Sequence, residues 1–125
     1  MTGQAIIGST DITNLIVDGS YKVDKESQYE SWVDGNFVTH RSGRRTKLKG
    51  EFDVCLCTKT GKTLSEFYSL INTNTDSAGT VIAAFYCTNT GSVEAVNAFI
   101  HLNNKEHILT SGGWIDVVSV EVEEA

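Results

Sequence analysis

The sequence predicts a mainly β (α+β) domain, an antiparallel β-sandwich or small β-barrel with one short amphipathic helix near residues 63–73. Three observations predict it. Apolar residues recur at every second position through several segments, the period of half-buried strands. Turn signals punctuate those segments: Asp18-Gly19, Asp34-Gly35-Asn36, Ser42-Gly43, Thr60-Gly61, Gly91-Ser92, Asn103-Asn104 and Gly112-Gly113. A single stretch changes to the helical period. Proline is absent from the 125 residues, where average usage of about 5% would give about six, so strands can run long without that break.

The elements follow in order. Gln28 to Val33 and Phe37 to Arg41 flank Asp34-Gly35-Asn36 and read as a hairpin. Thr46, Leu48, Gly50, Phe52, Val54 and Leu56 then share one strand face, with Lys47, Lys49, Glu51, Asp53, Cys55 and Cys57 on the other. Leu64, Phe67, Tyr68 and Ile71 fall at i, i+3, i+4 and i+7, the stripe of an amphipathic helix. Thr63 and Glu66 fit a capping box at its start, and the polar run Asn72 to Asp76 ends it. A helix of about ten residues is unstable alone, so its stripe must pack on the sheet. Val81 to Cys87 is apolar on both faces and reads as a central strand covered on both sides. Val96, Ala98, Ile100 and Leu102 alternate again, as do Val118, Val120 and Val122 opposite Ser119, Glu121 and Glu123. Strands, one helix, then strands make a mostly antiparallel sheet capped by that helix.

Length and composition bound the rest. The chain reads as a single domain over residues 1–125, long enough to bury a core without staples. With 40% hydrophobic and 21% charged residues, disorder, coiled coil and collagen are excluded. No apolar run approaches the ~20 residues of a membrane helix, so no membrane partner is expected. The opening MTGQAIIGSTD lacks the basic and apolar regions of a secretory signal. Cys55, Cys57 and Cys87 are therefore expected as free thiols in a reducing cytoplasm. Cys55 and Cys57 point to one strand face and do not bridge easily. None of His40, His101 and His107 has zinc-like spacing to them, so neither metal nor cofactor is expected.

The net charge is −6, which disfavours non-specific binding to phosphate backbones. The charge is unevenly placed. Arg41, Arg44, Arg45, Lys47 and Lys49 fall within nine positions and are half of the 10 basic residues. Glu121, Glu123 and Glu124 crowd the C-terminus. Patches of opposite sign suit head-to-tail contact between copies, which makes these eight residues the candidate interface. Two solvated strand faces would explain them equally well.

Catalytic patterns fail on inspection. Thr60-Gly61-Lys62-Thr63 resembles the end of a phosphate-binding loop, but the position of its first glycine holds Leu56. The capping box accounts for Thr63 and a turn for Gly61. No signature surrounds a cysteine–histidine or serine–histidine–aspartate set. Asp116 shares the parity of Val118 and Val120, yet it follows Gly112-Gly113 and reads as a solvated residue at a strand start. No catalytic residue is assigned, and the chain is not read as an enzyme. Tyr29, Trp32 and Phe37 precede the basic run, so an aromatic and basic surface for single-stranded nucleic acid is the alternative, or a carbohydrate groove near Trp32 or Trp114. Glu51 and Asp53 share the face of Lys47 and Lys49 and would repel phosphate.

Tyr21 to Ile71 carries a distinct outline. A tyrosine-led strand meets a D-G-N turn (Asp34 to Asn36), then an H-R-S-G-R-R-T-K-L-K-G-E-F strand (His40 to Phe52) and the helix L-S-E-F-Y-S-L-I (Leu64 to Ile71). This outline resembles small structural proteins from the tail-gene region of bacteriophages and prophages of Gram-positive bacteria. The resemblance implies a β-sandwich or barrel of the tail-tube, distal-tail, connector or baseplate kind, with no catalytic residues. It also implies a virion location after assembly in the bacterial cytoplasm. Its expected partners are copies of itself, in a ring or head to tail, and neighbouring tail proteins.

Overall fold

The computed structural model describes residues 3–57 and 59–125, with side chains described outside 27–30 and 41–45. Seven strands form one antiparallel sheet: β1 (Ala5–Ile7), β2 (Thr10–Asp11), β3 (Lys22–Val33), β4 (Thr39–Leu56), β5 (Val81–Cys87), β6 (Ser92–Thr110) and β7 (Gly113–Glu124). Their spatial order is β2-β1-β5-β6-β7-β4-β3. The helix α1 (Leu64–Asn74) lies between β4 and β5 in the chain. The fold is thus mainly β with one short helix, as the apolar periods predict.

The sheet curls until its far members meet. The Thr88 N–H donates to the Val23 carbonyl at 3.0 Å, joining the end of β5 to the start of β3. Asn89 fastens the same seam, accepting from the Lys25 N–H at 3.0 Å and donating to the Lys25 carbonyl at 2.6 Å. The Tyr21 hydroxyl donates to the Tyr86 carbonyl at 2.6 Å. Inside the curl lie Val23, Leu48, Phe52, Val54, Leu56, Phe85, Val118 and Val120, all essentially inaccessible to water. Phe52 links the two sides, with ring centroids 5.5 Å from Tyr21 and 5.9 Å from Phe85.

The helix begins where its cap dictates. Thr63 accepts from the Glu66 N–H and the Glu66 carboxylate accepts from the Thr63 N–H, completing the predicted capping box. Phe67 and Ile71 carry its stripe into the core.

Four local expectations change. Val81–Cys87 is not covered on both faces, since Ile82 is 67% exposed and only the Val81, Ala83, Phe85 and Cys87 face is buried. Phe37 does not begin a strand. It sits in the turn with φ of 62°, and β4 starts at Thr39. Ser42-Gly43 and Asn103-Asn104 are not turns but lie inside β4 and β6. A register shift stands at each place, opposite Gln28/Glu30 and at Asn104/Glu106, because a long antiparallel ladder absorbs one extra residue as a bulge.

Candidate functional site

The register of the central strands decides what protrudes. β4 pairs with β7 only from Lys49↔Glu123 to Leu56↔Asp116. Below that ladder, β3 and β4 continue as a two-stranded ribbon to the turn at Asp34. Above it, β6 and β7 continue as a second ribbon to Thr110↔Gly113. Because β4 and β7 run antiparallel, the two ribbons leave the sheet at opposite ends.

The first ribbon tip is built around Asp34. Its Oδ1 accepts from the Asn36 N–H at 2.8 Å and the Val38 N–H at 3.1 Å, which closes the turn. Its Oδ2 meets His40 Nε2 at 2.6 Å. The imidazole beside it, aided by the two N–H groups, holds the Asp34 carboxyl below the usual range. The His40 ring stacks on Trp32 at 5.5 Å. Phe37 is 90% exposed, and Trp32, Val33 and Val38 are exposed around it.

The second tip repeats these residue types. His107 Nδ1 contacts Asp116 Oδ1, and the His107 ring stacks on Trp114 at 4.1 Å with planes 9° apart. Trp114, Ile108 and the 66% exposed Leu109 form its apolar surface. The bulge at Lys105 makes this possible. Ile100 and Leu102 face the core opposite Val122 and Val120, so unbroken alternation would carry even-numbered residues onward. The extra residue shifts the parity, and His107 and Leu109 take that face opposite Asp116 and Trp114. Lys105 Nζ reaches across β7 to Asp53 at 3.0 Å.

Asp116 is accordingly not solvated. It is 7% exposed, because it continues the core face of Val118 and Val120 beneath His107. Its parity in the sequence was the available signal. The pairing with His107 depends on the bulge and had no such signal.

The charged candidates fall in two groups. Arg41, Arg44 and Arg45 lie on β4 within the first ribbon, and their side chains lie outside the described residues. Lys47 is half-buried, while Lys49 is exposed and directly opposite Glu123. Glu121 stands opposite Glu51 and His101. Lys22, Asp24, Lys49, Glu51, Glu121 and Glu123 line one groove on the outer face. The basic segment and the acidic tail therefore adjoin within one chain at Lys49 and Glu123. Glu124 turns away and accepts from the Leu48 N–H at 3.0 Å, closing the end of the β4–β7 ladder.

Among the described residues, no three His, Cys, Asp or Glu side chains converge as a metal site. No helix among the described residues is long and apolar enough to cross a membrane. Thr60 and Gly61 form a turn, and the Thr63 hydroxyl serves the helix cap. No protein-family model matches the chain, and no characterised protein matches its sequence. The class defined on these grounds is a curled antiparallel β domain with one capping helix and two opposed ribbons.

Proposed function

We propose that the chain is a non-enzymatic structural subunit of a phage tail, working by self-assembly and by docking to neighbouring tail proteins. One observation carries this reading: two ribbons leave opposite ends of one sheet, each with exposed aromatic and aliphatic side chains at its tip. Exposed apolar surface on a soluble domain marks a contact site. Two different contact surfaces on one chain generate rings or stacks, since a heterologous contact repeats from copy to copy. The ribbons add unpaired edges. Residues 39–47 of β4 have no partner on the β7 side, and residues 99–110 of β6 have no strand partner on the β5 side, among the described residues. Such edges accept a strand from another chain.

Light scattering and electron microscopy on the purified chain test the reading. The wild type is expected to form rings or stacks as concentration rises. Phe37→Ser and Leu109→Ser remove side chains from the two tips without touching the core, and each is expected to weaken assembly. A wild type that stays monomeric at millimolar concentration, or variants that assemble like it, would overturn the proposal.

A binding module for single-stranded nucleic acid or carbohydrate is the second reading, favoured by the exposed indoles of Trp32 and Trp114. Such a ligand would quench tryptophan fluorescence, and nucleic-acid affinity would fall steeply with salt. Glu51, Glu121 and Glu123 around Lys49 count against the nucleic-acid form.

A further inference from the structure

β5 is apolar on both faces, yet the chain buries only one of them. Ile82, Ala84 and Tyr86 point away from the core, and Val93 and Ala95 of β6 stand directly opposite Tyr86 and Ala84. Phe99 continues that face of β6, and Ile82, Val93 and Phe99 are exposed. Asn97, opposite Ile82, is polar but uncharged. An apolar stripe thus lies open on the outer face of the sheet.

Beyond Phe99 the same face turns acidic. Phe99 stands opposite Glu123 of β7. The groove beside it holds Asp24, Glu26, Glu51, Glu121 and Glu123 against Lys22 and Lys49. With His101 neutral, five carboxylates and two ammonium groups leave a net charge of −3. Glu51 and Glu121 face each other directly, a destabilising like-charge pair. Among the described residues, the side chains of Glu51, Glu121 and Glu123 form no ion pair. Such a face fits a partner that is apolar at one end and basic along the rest.

The chain carries such a segment itself. The turn of the β3–β4 ribbon exposes Phe37 and Val38, and Arg41, Arg44 and Arg45 follow on β4. The acidic residues between Ser27 and Arg45 are Glu30 and Asp34, and Asp34 is already engaged by His40 and two N–H groups. We propose that the β3–β4 ribbon of one copy lies across the outer face of the next. Its apolar turn sits on β5 and β6, and its arginines meet the carboxylates of β7, β4 and β3. This contact rests on the self-assembly proposed above and names the two surfaces that make it. The ribbon extends β3 and β4 away from the groove, so a second copy must supply it. The dimensions agree. From Val38 to Arg44 an extended strand spans about 20 Å, and the four strand spacings from β5 to β3 span about 19 Å. The ribbon and the face that receives it are different surfaces, so every copy gives and receives and the contact repeats.

Charge reversal tests the contact in the full-length chain. One variant carries Arg41→Glu, Arg44→Glu and Arg45→Glu. The other carries Glu51→Lys, Glu121→Lys and Glu123→Lys. Like charges then meet at the contact, and each variant alone should need at least about a tenfold higher concentration than wild type to scatter light as an assembly. An equimolar mixture should assemble again, because each variant supplies the sign the other lacks. A misfolded variant could not be rescued in this way. Wild-type assembly should weaken between 0.1 and 1 M salt, as the screening length falls from about 10 Å to about 3 Å. Ile82→Ser should weaken assembly as Phe37→Ser does, and the double variant should lose less than the two losses combined, since both side chains serve one contact. Reversed variants that assemble like wild type, a mixture that stays monomeric, or full additivity of Phe37→Ser and Ile82→Ser would overturn this contact while leaving self-assembly in place. A wild type that never assembles would overturn both.

Discussion

Gly50 offers the sharpest test of how the sheet is curled. It lies on the core face of β4 opposite Val23 of β3. A β-carbon built there would stand 2.1 Å from the Lys22 carbonyl oxygen and 2.5 Å from the Val23 α-carbon. Both obstacles are backbone, so no side chain can swing aside. β3 would have to retreat by about 1.3 Å to reach ordinary contact. Overpacking of this kind costs about 1–3 kcal/mol. The flanking pairs Lys22↔Glu51 and Asp24↔Lys49 would stretch with it, and weakening two ladder hydrogen bonds adds about 1 kcal/mol each. Replacing glycine in a strand returns about 0.5–1 kcal/mol. Gly50→Ala is thus expected to destabilise the chain by about 2–4 kcal/mol, lowering the melting temperature by about 10 °C. Urea unfolding followed by tryptophan fluorescence reads this as a lower midpoint at unchanged slope. Gly35→Ala is the control, because its β-carbon would meet nothing within 4 Å and its φ is ordinary. That variant should stay within about 0.5 kcal/mol of wild type. A Gly50→Ala midpoint equal to that of the control would refute the close approach of β3.

Two further outcomes follow from the same packing. Phe67 is the fully buried anchor of α1, and Phe67→Ala should cost about 3–5 kcal/mol in the same urea assay, against about 1 kcal/mol for loss of the cap in Thr63→Ala. Near-equal losses would mean that the cap, not the stripe, holds the helix. Burial raises the Tyr21 phenol well above its ordinary value of 10.0. The unfolded chain then loses its phenolic proton first, so stability should fall as pH rises through about 10. Tyr21→Phe should flatten that alkaline slope, and a slope unchanged by the substitution would place the loss elsewhere.

Much of the secondary structure was legible in the residues because it depends on local periodicity. Alternation marked β4, β6 and β7, and Thr63 with Glu66 marked the start of α1 to the residue. The turn at Asp34 was legible too, since an aspartate, a glycine and an asparagine favour tight reversal whatever surrounds them. The candidate surfaces were less legible. Charge clustering pointed to Lys49 and Glu123 as members of separate patches, yet they are cross-strand neighbours. No single-strand pattern reveals which strand lies beside which. Trp32 and Trp114 were singled out, whereas their stacking on His40 and His107 was not.

The sequence by itself determined a β-rich class, a capped helix and most of the faces that must be buried. Each follows from spacing within about ten residues, where the strand and helix periods act. Only the tertiary structure decided the strand order, the seam between β3 and β5, and the opposition of the two ribbons. It alone placed the bulge at Lys105 that turns His107 and Leu109 onto the face of Asp116 and Trp114. These depend on register between strands distant in the chain. Register is chosen by the sum of many cross-strand contacts, and one inserted residue in one strand reverses every side chain beyond it.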